Sequence, residues 1–387
     1  MTNVHIQDSQ TATPSYNFDN LLYTTANSDD ERKRIDLIRE EYPVKISPYL
    51  ERLIKRSPYV AKQFIPTAEE YETVGTATPF EEGKHATGVY GLERVYRDRV
   101  LMTPHFDCPA YCRFCYKKSR VLRGQKGMSK ANIDQAMEYI ANDPEIRGVL
   151  ITGGDPMMDL DKLFYLLDAV SKVDSVHEIR IGSRSFLANP TLFTDALAKR
   201  LSSYNRVDFN NAENSQSLAF NVHFNHPDEL TPEVLHACNA MISNGIMLRN
   251  QAVLLKGIND DLETMTRLFK LLLRNRIIPY YMNHCMPVVG GDHLRPSVAK
   301  GQEILRHLHT ESSSAIPNYV YAPQGGKVHV GADTEFEYKY RDGKRYIVVK
   351  MLYKTEEFQR ITKEPLPPHH KTSDDGYIVA EYLDGSD

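Results

Sequence analysis

The sequence lacks the features that would direct it to a membrane, a nucleic acid or a secretory route. Its 387 residues carry 47 Lys plus Arg against 51 Asp plus Glu, so the formal net charge of −4 does not favour a polybasic function. No apolar run approaches the ~20 residues of a membrane-spanning helix. The N-terminus shows neither a signal-peptide pattern nor an Arg-rich amphipathic one. We therefore expect a cytoplasmic protein that binds neither nucleic acid nor membrane.

Cysteine is scarce and unevenly placed. The chain has five cysteines, of which Cys108, Cys112 and Cys115 lie close together while Cys238 and Cys285 are isolated. An odd, clustered count is not typical of a disulfide framework. The remaining composition, 41% hydrophobic and 25% charged, is ordinary for a folded protein with a substantial core.

Short apolar runs alternate with amphipathic helical stretches over the middle of the chain. The runs are 100–103, 148–152, 178–181, 218–224, 246–254 and 278–282. The helical stretches lie near 129–142, 159–172, 191–202, 231–244, 260–275 and 297–309. Six β-α units in a row predict a parallel sheet. Polar residues follow nearly every run, as expected where the carboxyl ends of parallel strands build an active site.

The two ends of the chain have different patterns. The first ~60 residues are polar and contain two helical stretches, about 28–41 and 47–56, which predict a helical appendage. Beyond residue 318, Tyr- and Val-rich segments flank Asp342-Gly343, which predicts a β-hairpin. The last ~25 residues, with several Pro and His, predict an extended tail.

The segment DCPAYCRFCYKK spaces three thiols as C-x3-C-x2-C directly after the first predicted strand. Three thiolates can bind three irons of a [4Fe–4S] cluster and leave the fourth iron open, whereas a structural zinc site uses four protein ligands. Two alternatives stay open: a zinc site completed by His105 or a distant cysteine, and three ordinary buried thiols. The spacing is similar to the radical S-adenosylmethionine (SAM) signature.

Longer segments carry a more specific resemblance. From roughly residue 57 to 330 the chain resembles the lysine 2,3-aminomutase family of radical SAM enzymes that also use pyridoxal phosphate (PLP). The matching segments are SPYVAKQFIPTAEE, DRVLMTPHFDCPAYCRFC, VLITGGDPMM, IRIGSRS, VHFNHPDELT, NQAVLLKGIND, PYYMNHC and HLRPSVAKGQEI. The resemblance implies an α/β fold, a radical SAM (β/α)6 partial barrel with an N-terminal helical extension and a C-terminal β-rich extension. We therefore expect an extension over 1–95, the barrel over 96–312, and the PLP-lysine loop with C-terminal strands and tail over 313–387.

The resemblance implies residues that bind SAM. Gly153, Gly154 and Asp155 match the family's SAM-contacting segment, with Asp155 accepting from the methionyl ammonium and the glycines allowing close backbone approach. A glycine turn capped by Asp is also a routine strand-to-helix connection. Arg184, His223 and Gln251 fall on segments that resemble the family's SAM-binding strand ends. Their alternative is a set of polar groups satisfied within a barrel layer.

The resemblance also implies a PLP site. Lys327 closes the segment YAPQGGK, which resembles the family's glycine-rich loop ending in the Schiff-base lysine. A Schiff base needs an amine that is held against the aldehyde carbon and partly desolvated. Tyr96 and Arg99 lie in a stretch whose family counterpart helps hold PLP. For all three residues the alternative is an ordinary surface position.

One departure from the family concerns the substrate carboxylate. The family usually places Arg two residues past the last cluster cysteine, where it binds the substrate carboxylate. This chain has Lys117 there. An ammonium still binds a carboxylate, but as a point charge without the two-pronged geometry of a guanidinium.

A second departure concerns the substrate side chain. Family members that act on lysine present two aspartates to its distal ammonium, and this chain has Met286 at the first position and Tyr321-Ala322-Pro323 around the second. A buried ammonium without a counter-ion costs several kcal/mol. A neutral side chain, or a guanidinium stacked on Tyr321, therefore fits better than lysine, unless another acid such as Asp292 reaches the site. No cysteine follows Cys285, so we expect no late zinc site of the clostridial type.

The sequence thus predicts an isomerase, an amino-acid 2,3-aminomutase that converts an L-α-amino acid to its β-amino isomer. The resemblance implies a [4Fe–4S] cluster, SAM and PLP as cofactors, an electron donor such as flavodoxin or ferredoxin, and a homo-oligomer. One alternative keeps these cofactors but catalyses another amino shift or an oxidation of an amino acid. The other is a non-catalytic, metal-stabilised binding protein.

Overall fold

The computed structural model describes residues 19–71, 87–121, 126–312, 314–322 and 326–386. Its strands are β1 (Leu92–Glu93), β2 (Arg99–Met102), β3 (Gly148–Ile151), β4 (Glu178–Ser183), β5 (Ser217–Val222), β6 (Met247–Leu254), β7 (Ile278–His284), β8 (Asn318–Tyr321), β9 (Val328–His329), β10 (Tyr338–Arg341), β11 (Lys344–Lys354), β12 (His370–Thr372) and β13 (Tyr377–Leu383). Its α-helices are α1 (Asp19–Leu22), α2 (Asp29–Glu41), α3 (Pro48–Ile54), α4 (Pro58–Ala61), α5 (Lys118–Val121), α6 (Lys130–Ala141), α7 (Leu160–Val170), α8 (Ser185–Ala188), α9 (Asp195–Ser202), α10 (Pro232–Ser243), α11 (Leu262–Arg274), α12 (Val298–Glu311) and α13 (Thr355–Thr362).

A nine-stranded sheet forms the centre of the molecule, with strands β1 to β9 in chain order. The strands β2 to β8 are parallel, and β1 and β9 add one antiparallel strand at each edge. Helices α6, α7, α9, α10, α11 and α12 follow the strands β2 to β7 in turn, which confirms the predicted six β-α units. Within the described residues β1 and β9 do not pair, so the sheet stays a partial barrel.

Alternation along the strands separates two faces of this sheet. Val149, Ile151, Ile179 and Ile181 are fully buried against the helices, which contribute apolar faces such as Met265, Leu268, Phe269 and Leu272 of α11. The intervening residues point to the opposite side, which we call the interior face. Arg180 of β4, Gln251 of β6 and its register partner Tyr281 of β7 therefore lie on the interior face.

The N-terminal helices α2 and α3 match the two predicted helical stretches, and their caps explain where they begin. The Ser28 and Ser47 side chains accept hydrogen bonds from backbone N–H groups three residues on. Leu50 of α3 and Phe64 just after α4 are fully buried in the same apolar core as the sheet. This stretch, residues 42–71, packs on the barrel, and we call it the N-terminal arm.

The C-terminal residues form a second, four-stranded antiparallel sheet in the order β10-β11-β13-β12. The predicted hairpin is confirmed, with Asp342 and Gly343 both at positive φ as a tight two-residue turn requires. The predicted extended tail is wrong, because β12 and β13 lie within it and β13 pairs with β11. Ile378 and Ala380 are buried and alternate with more exposed residues, which is a strand pattern. The sequence prediction missed this strand because the preceding connection is rich in Pro and His.

No helix in the described part of the chain has the length and apolar character needed to cross a membrane.

Candidate active site

The loop that carries the three clustered cysteines follows β2 and is held by the glycine turn after β3. The Gly154 N–H donates to the His105 carbonyl at 2.8 Å, and the Asp155 N–H donates to the Asp107 carbonyl at 2.8 Å. A Cβ on Gly154 would lie 2.1 Å from the Asp107 carbonyl oxygen, and Gly153 has a φ of +123°. The close backbone approach predicted for these glycines therefore exists, but in this structure the approaching group is the cysteine loop itself.

The thiols of Cys108, Cys112 and Cys115 are free and half-buried. Burial raises the pKa of all three thiols, and raises that of Cys115 to about 12. Neighbouring ionisable groups also shift the pKa of each thiol. Within the described ranges no three or more His, Cys, Asp or Glu side chains converge on a point where one metal ion could sit. The three thiols are near enough to influence one another electrostatically, and in a [4Fe–4S] cluster each thiolate binds its own iron.

Arg184, predicted to bind SAM, lies against the cysteine loop. Its Nη1 donates to the Cys112 sulfur at 3.0 Å, and its guanidinium carbon is 4.8 Å and 5.1 Å from the ring centres of Phe64 and Phe114. The positive charge of Arg184 opposes the effect of burial on the pKa of Cys112, which favours a thiolate.

His223 and Gln251 lie near one another on the interior face. His223 directly follows β5, and its ring packs edge-on against Phe114 with ring centres 5.6 Å apart. The register pairs Val222 with Asn250, so the next residues along each strand, His223 and Gln251, are neighbours. Burial, with Arg184 nearby, holds the pKa of His223 well below its usual value, so the imidazole is neutral.

Asp155, predicted to bind SAM, makes several contacts within the chain. Its carboxylate accepts hydrogen bonds from the Ser183 hydroxyl and from the backbone N–H groups of Met157, Arg184 and Ser185, all between 2.8 and 3.0 Å. The side chain is buried and both oxygens are engaged within the chain. These contacts tie the loop after β3 to the start of α8, and SAM binding by Asp155 stays a prediction.

A second group of residues surrounds Lys327. The Lys327 backbone N–H donates to the Tyr96 hydroxyl at 2.8 Å, and the Arg99 guanidinium carbon lies 3.7 Å from the centre of the Tyr96 ring. The Lys327 amino nitrogen lies 3.6 Å from the centre of the Tyr281 ring. The structure thus brings together the three residues predicted for PLP, while residues 323–325 of the predicted loop lie outside the described residues.

The electrostatic setting of Lys327 is unusual for a lysine. Burial, followed by the positive charges of Arg180 and Arg99, lowers its pKa to about 7. A half-buried amine that is about half neutral at pH 7, beside two guanidinium groups, fits an aldehyde cofactor that carries an anionic phosphate. Arg180 and Tyr281 were not among the residues predicted from the sequence. The alternation of residues along the strands EIRIGS and PYYMNHC could have placed both of them on the same face of the sheet as Gln251.

The three predicted substrate residues are all buried. Lys117 and Met286 are both buried, Lys117 beside Cys115 and Met286 just after β7. Tyr321 is 2% exposed, and its ring packs on His284 and Tyr382 with ring centres 5.1 and 5.7 Å apart. In β8, Tyr321 shares its face with Tyr319 in the apolar core, and its contact with substrate stays a prediction.

A buried ion pair that the sequence did not reveal connects the N-terminal arm to the cysteine loop. Arg113, between the second and third clustered cysteines, makes a two-pronged contact with Glu70 at 2.8 and 2.7 Å and also donates to the Tyr42 carbonyl. Both side chains are 1% exposed. The arm thus supports the loop rather than forming a separate appendage.

The fold and the cysteine loop define a radical SAM protein, and residues 102–269 match the family described as the Radical SAM superfamily. The chain is 36% identical over 317 residues to the L-lysine 2,3-aminomutase of Fusobacterium nucleatum subsp. nucleatum, covering 77% of this chain and 72% of that protein. It is 35% identical to the L-lysine 2,3-aminomutase of Methanococcus maripaludis, with 80% and 70% covered, and 34% identical to the glutamate 2,3-aminomutase of Clostridioides difficile, with 76% and 69% covered. The chain belongs to the lysine 2,3-aminomutase family of radical SAM isomerases. Membership implies a [4Fe–4S] cluster and SAM, and the family's lysine 2,3-aminomutases use PLP.

Proposed function

We propose that this protein is a PLP-dependent amino-acid 2,3-aminomutase that converts an L-α-amino acid to its β-amino isomer. The observation that carries the proposal is Lys327, an amine with a pKa of about 7 on the interior face of the sheet that also bears the cysteine loop. Relatives named for lysine and for glutamate support the reaction type and show that the amino acid differs between members.

In this proposal Cys108, Cys112 and Cys115 hold the cluster and Lys327 holds PLP. When bound, the cluster and SAM supply a hydrogen-abstracting radical, and PLP supplies the π-system through which an amino group migrates. The neutral Lys327 Nζ is nucleophilic without a separate base. The guanidinium groups of Arg99 and Arg180 would balance the negative charge of the PLP phosphate. Buried side chains around the cysteine loop exclude water.

The residues near the cysteine loop favour a substrate with an uncharged side chain. Met286 is buried and apolar where the family's lysine enzymes have an aspartate. Asp292, an acid that could have replaced it, forms an ion pair with the buried Arg295 at 2.6 Å. Tyr321 is buried in the apolar core and packs on His284 and Tyr382, which disfavours a guanidinium stacked on its ring. Lys117 remains as a cation suited to the substrate carboxylate.

The test is anaerobic incubation of reconstituted enzyme with each of the twenty amino acids, SAM and a reductant, followed by mass-matched chromatography. We expect a β-amino isomer of unchanged mass from an amino acid with a neutral side chain and none from lysine. A product of changed mass would replace the mutase by an oxidation. Turnover of lysine or arginine would overturn the substrate class alone.

The PLP assignment has its own test. Native protein is expected to absorb in the near ultraviolet through lysine-linked PLP, and Lys327→Ala is expected to lose this band and the activity. Retention of both in Lys327→Ala would contradict the assignment.

We also propose a cytoplasmic setting with a flavodoxin- or ferredoxin-type electron donor. The five cysteines are free thiols, as in a reducing compartment, and the cluster must be reduced before it acts. The homo-oligomer stays a prediction.

A further inference from the structure

The guanidinium of Arg184 also makes hydrogen bonds on the side away from Cys112. Its Nη2 donates to the Gln63 side-chain oxygen at 2.6 Å and lies 3.3 Å from Oε1 of Glu229. Its Nη1 is the nitrogen that donates to the Cys112 sulfur. One guanidinium therefore joins three parts of the chain: the N-terminal arm, the turn after β5 and the cysteine loop.

Gln63 and Glu229, which contact Arg184, are themselves held in place by hydrogen bonds. Gln63 and Glu229 are each 0% exposed, and the Gln63 amide nitrogen donates to Glu229 Oε1 at 2.6 Å. The Asn225 side chain donates to the Gln63 oxygen at 3.0 Å, and its backbone N–H donates to Glu229 Oε2 at 2.7 Å. These hydrogen bonds restrict movement of the guanidinium away from the Cys112 sulfur.

The contacts of Glu229 favour its charged form. Burial, the largest effect, raises the pKa of Glu229 above its usual value, and Arg184 and the hydrogen bonds from Asn225, Gln63 and His226 only partly offset this rise. All of these partners are donors, as a carboxylate requires and a protonated acid does not. Glu229 therefore supplies a negative charge that partly offsets Arg184 beside the cysteine loop.

We propose that Gln63 is a positioning residue that holds Arg184 on the Cys112 sulfur, that Glu229 is the counter-charge of Arg184, and that the two residues thereby set the reduction potential of the cluster. Hydrogen bonds to cluster sulfurs and nearby charge are two of the terms that fix this potential, because a cation beside the cluster favours its more negative, reduced form. Gln63 fixes the distance between guanidinium and sulfur, and Glu229 limits the charge that the cluster feels.

The two residues make opposite predictions. Gln63→Leu removes the 2.6 Å anchor, so the guanidinium moves off the sulfur and the potential falls. Glu229→Gln removes the counter-charge and leaves Arg184 in place, so the potential rises. The matched control is Ser57→Ala, which loses the hydroxyl that donates to Asp228 at 2.7 Å, next to Glu229, without touching Arg184.

The experiment is an EPR-monitored redox titration of anaerobically reconstituted full-length protein, with iron content measured for every variant. Shifts of opposite sign for Gln63→Leu and Glu229→Gln, with Ser57→Ala unchanged, are the expected result. Unchanged potentials, or shifts of one sign in all three variants, would overturn the proposal. If Glu229→Gln does not take up iron, Arg184→Lys replaces it, with an expected fall in potential, and an unchanged value there overturns the proposal. The inference rests on the three cysteines binding a cluster, and a wild-type protein without iron would refute that assignment instead.

Discussion

Lys327 owes its depressed pKa to burial first and to the guanidinium groups of Arg180 and Arg99 second. Tyr281 lies under the amino group and Tyr96 accepts a hydrogen bond from the backbone N–H, so four residues from β2, β4, β7 and the stretch before β2 surround one amine. A lysine in a glycine-rich segment is visible in the sequence. Its protonation state is not, because burial and neighbouring charge arise only when distant strands come together.

We predict that Lys327 reacts with PLP with a pH midpoint near 7. The folded pKa lies below the ordinary 10.5, so the amine is mostly neutral from about pH 7 upward. Protonation of this amine opposes folding, so its stability contribution is full above pH 10.5 and is lost as pH falls through about 7. The rate of imine formation by the cofactor-free protein, followed by absorbance between pH 6 and 10, measures the midpoint.

The matched variant for this profile is Arg180→Gln. Removal of one like charge is expected to raise the pKa of Lys327, which shifts the midpoint to higher pH. A wild-type midpoint near 10, or an Arg180→Gln profile that coincides with wild type, would show that the nearby charges do not control this amine.

Single residues also mark where sequence reasoning succeeded and failed. The clustered cysteines were assigned from spacing, and Tyr96, Arg99 and Lys327 meet although 231 positions separate the first from the last. The internal contacts of Asp155 and Tyr321 were not predicted, because a family motif fixes the residue type but not which way a side chain points. The direction depends on strand register and on the groups that satisfy the side chain, and neither can be read from local pattern.

At the scale of elements, the glycine turn after β3 predicts a strict requirement. A methyl group on Gly154 would lie 2.1 Å from a backbone oxygen of the cysteine loop, so the loop must move. Gly154→Ala is expected to destabilise the protein by about 1–3 kcal/mol and to lower the iron content after reconstitution. Gly148→Ala is the control, because its nearest contact would be an ordinary 3.4 Å. Equal iron content and equal denaturation midpoints in the two variants would contradict this prediction.

The arm and the cysteine loop form one unit through the Glu70–Arg113 pair, which predicts an unusually large mutational effect. Glu70→Ala leaves the Arg113 guanidinium buried without its carboxylate, a change that costs about 3–5 kcal/mol. The exposed Glu51–Lys55 pair on α3 is the control, and Glu51→Ala is expected to cost only about 0.3–0.5 kcal/mol. Urea denaturation measures both, and similar losses would mean that the buried pair does not support the arm.

At the scale of the whole molecule, the C-terminal sheet contacts both edges of the partial barrel. Tyr353 of β11 packs near Tyr96, close to β2, with ring centres 6.4 Å apart, and Tyr382 of β13 packs on Tyr321 of β8. The hairpin was predictable from its turn, but the sheet's position was not, because both contacts join residues distant in sequence. The C-terminal sheet therefore contacts residues near both the first and the last parallel strand.

This arrangement predicts that a residue of the C-terminal sheet affects PLP binding without contacting the cysteine loop. Tyr353 packs on Tyr96, and Tyr96 in turn accepts from the Lys327 backbone, so loss of the Tyr353 ring loosens one side of the PLP site. An aromatic pair contributes about 0.5–1.5 kcal/mol, so Tyr353→Ala is expected to weaken PLP binding by up to about tenfold while iron content stays at the wild-type value. Absorbance titration of PLP into the cofactor-free protein measures the affinity. Tyr340→Ala, on an exposed position of the same sheet, should bind PLP as wild type does. If both variants bind equally, or if Tyr353→Ala also loses iron, the sheet does not support the Lys327 side of the barrel in the way its contacts indicate.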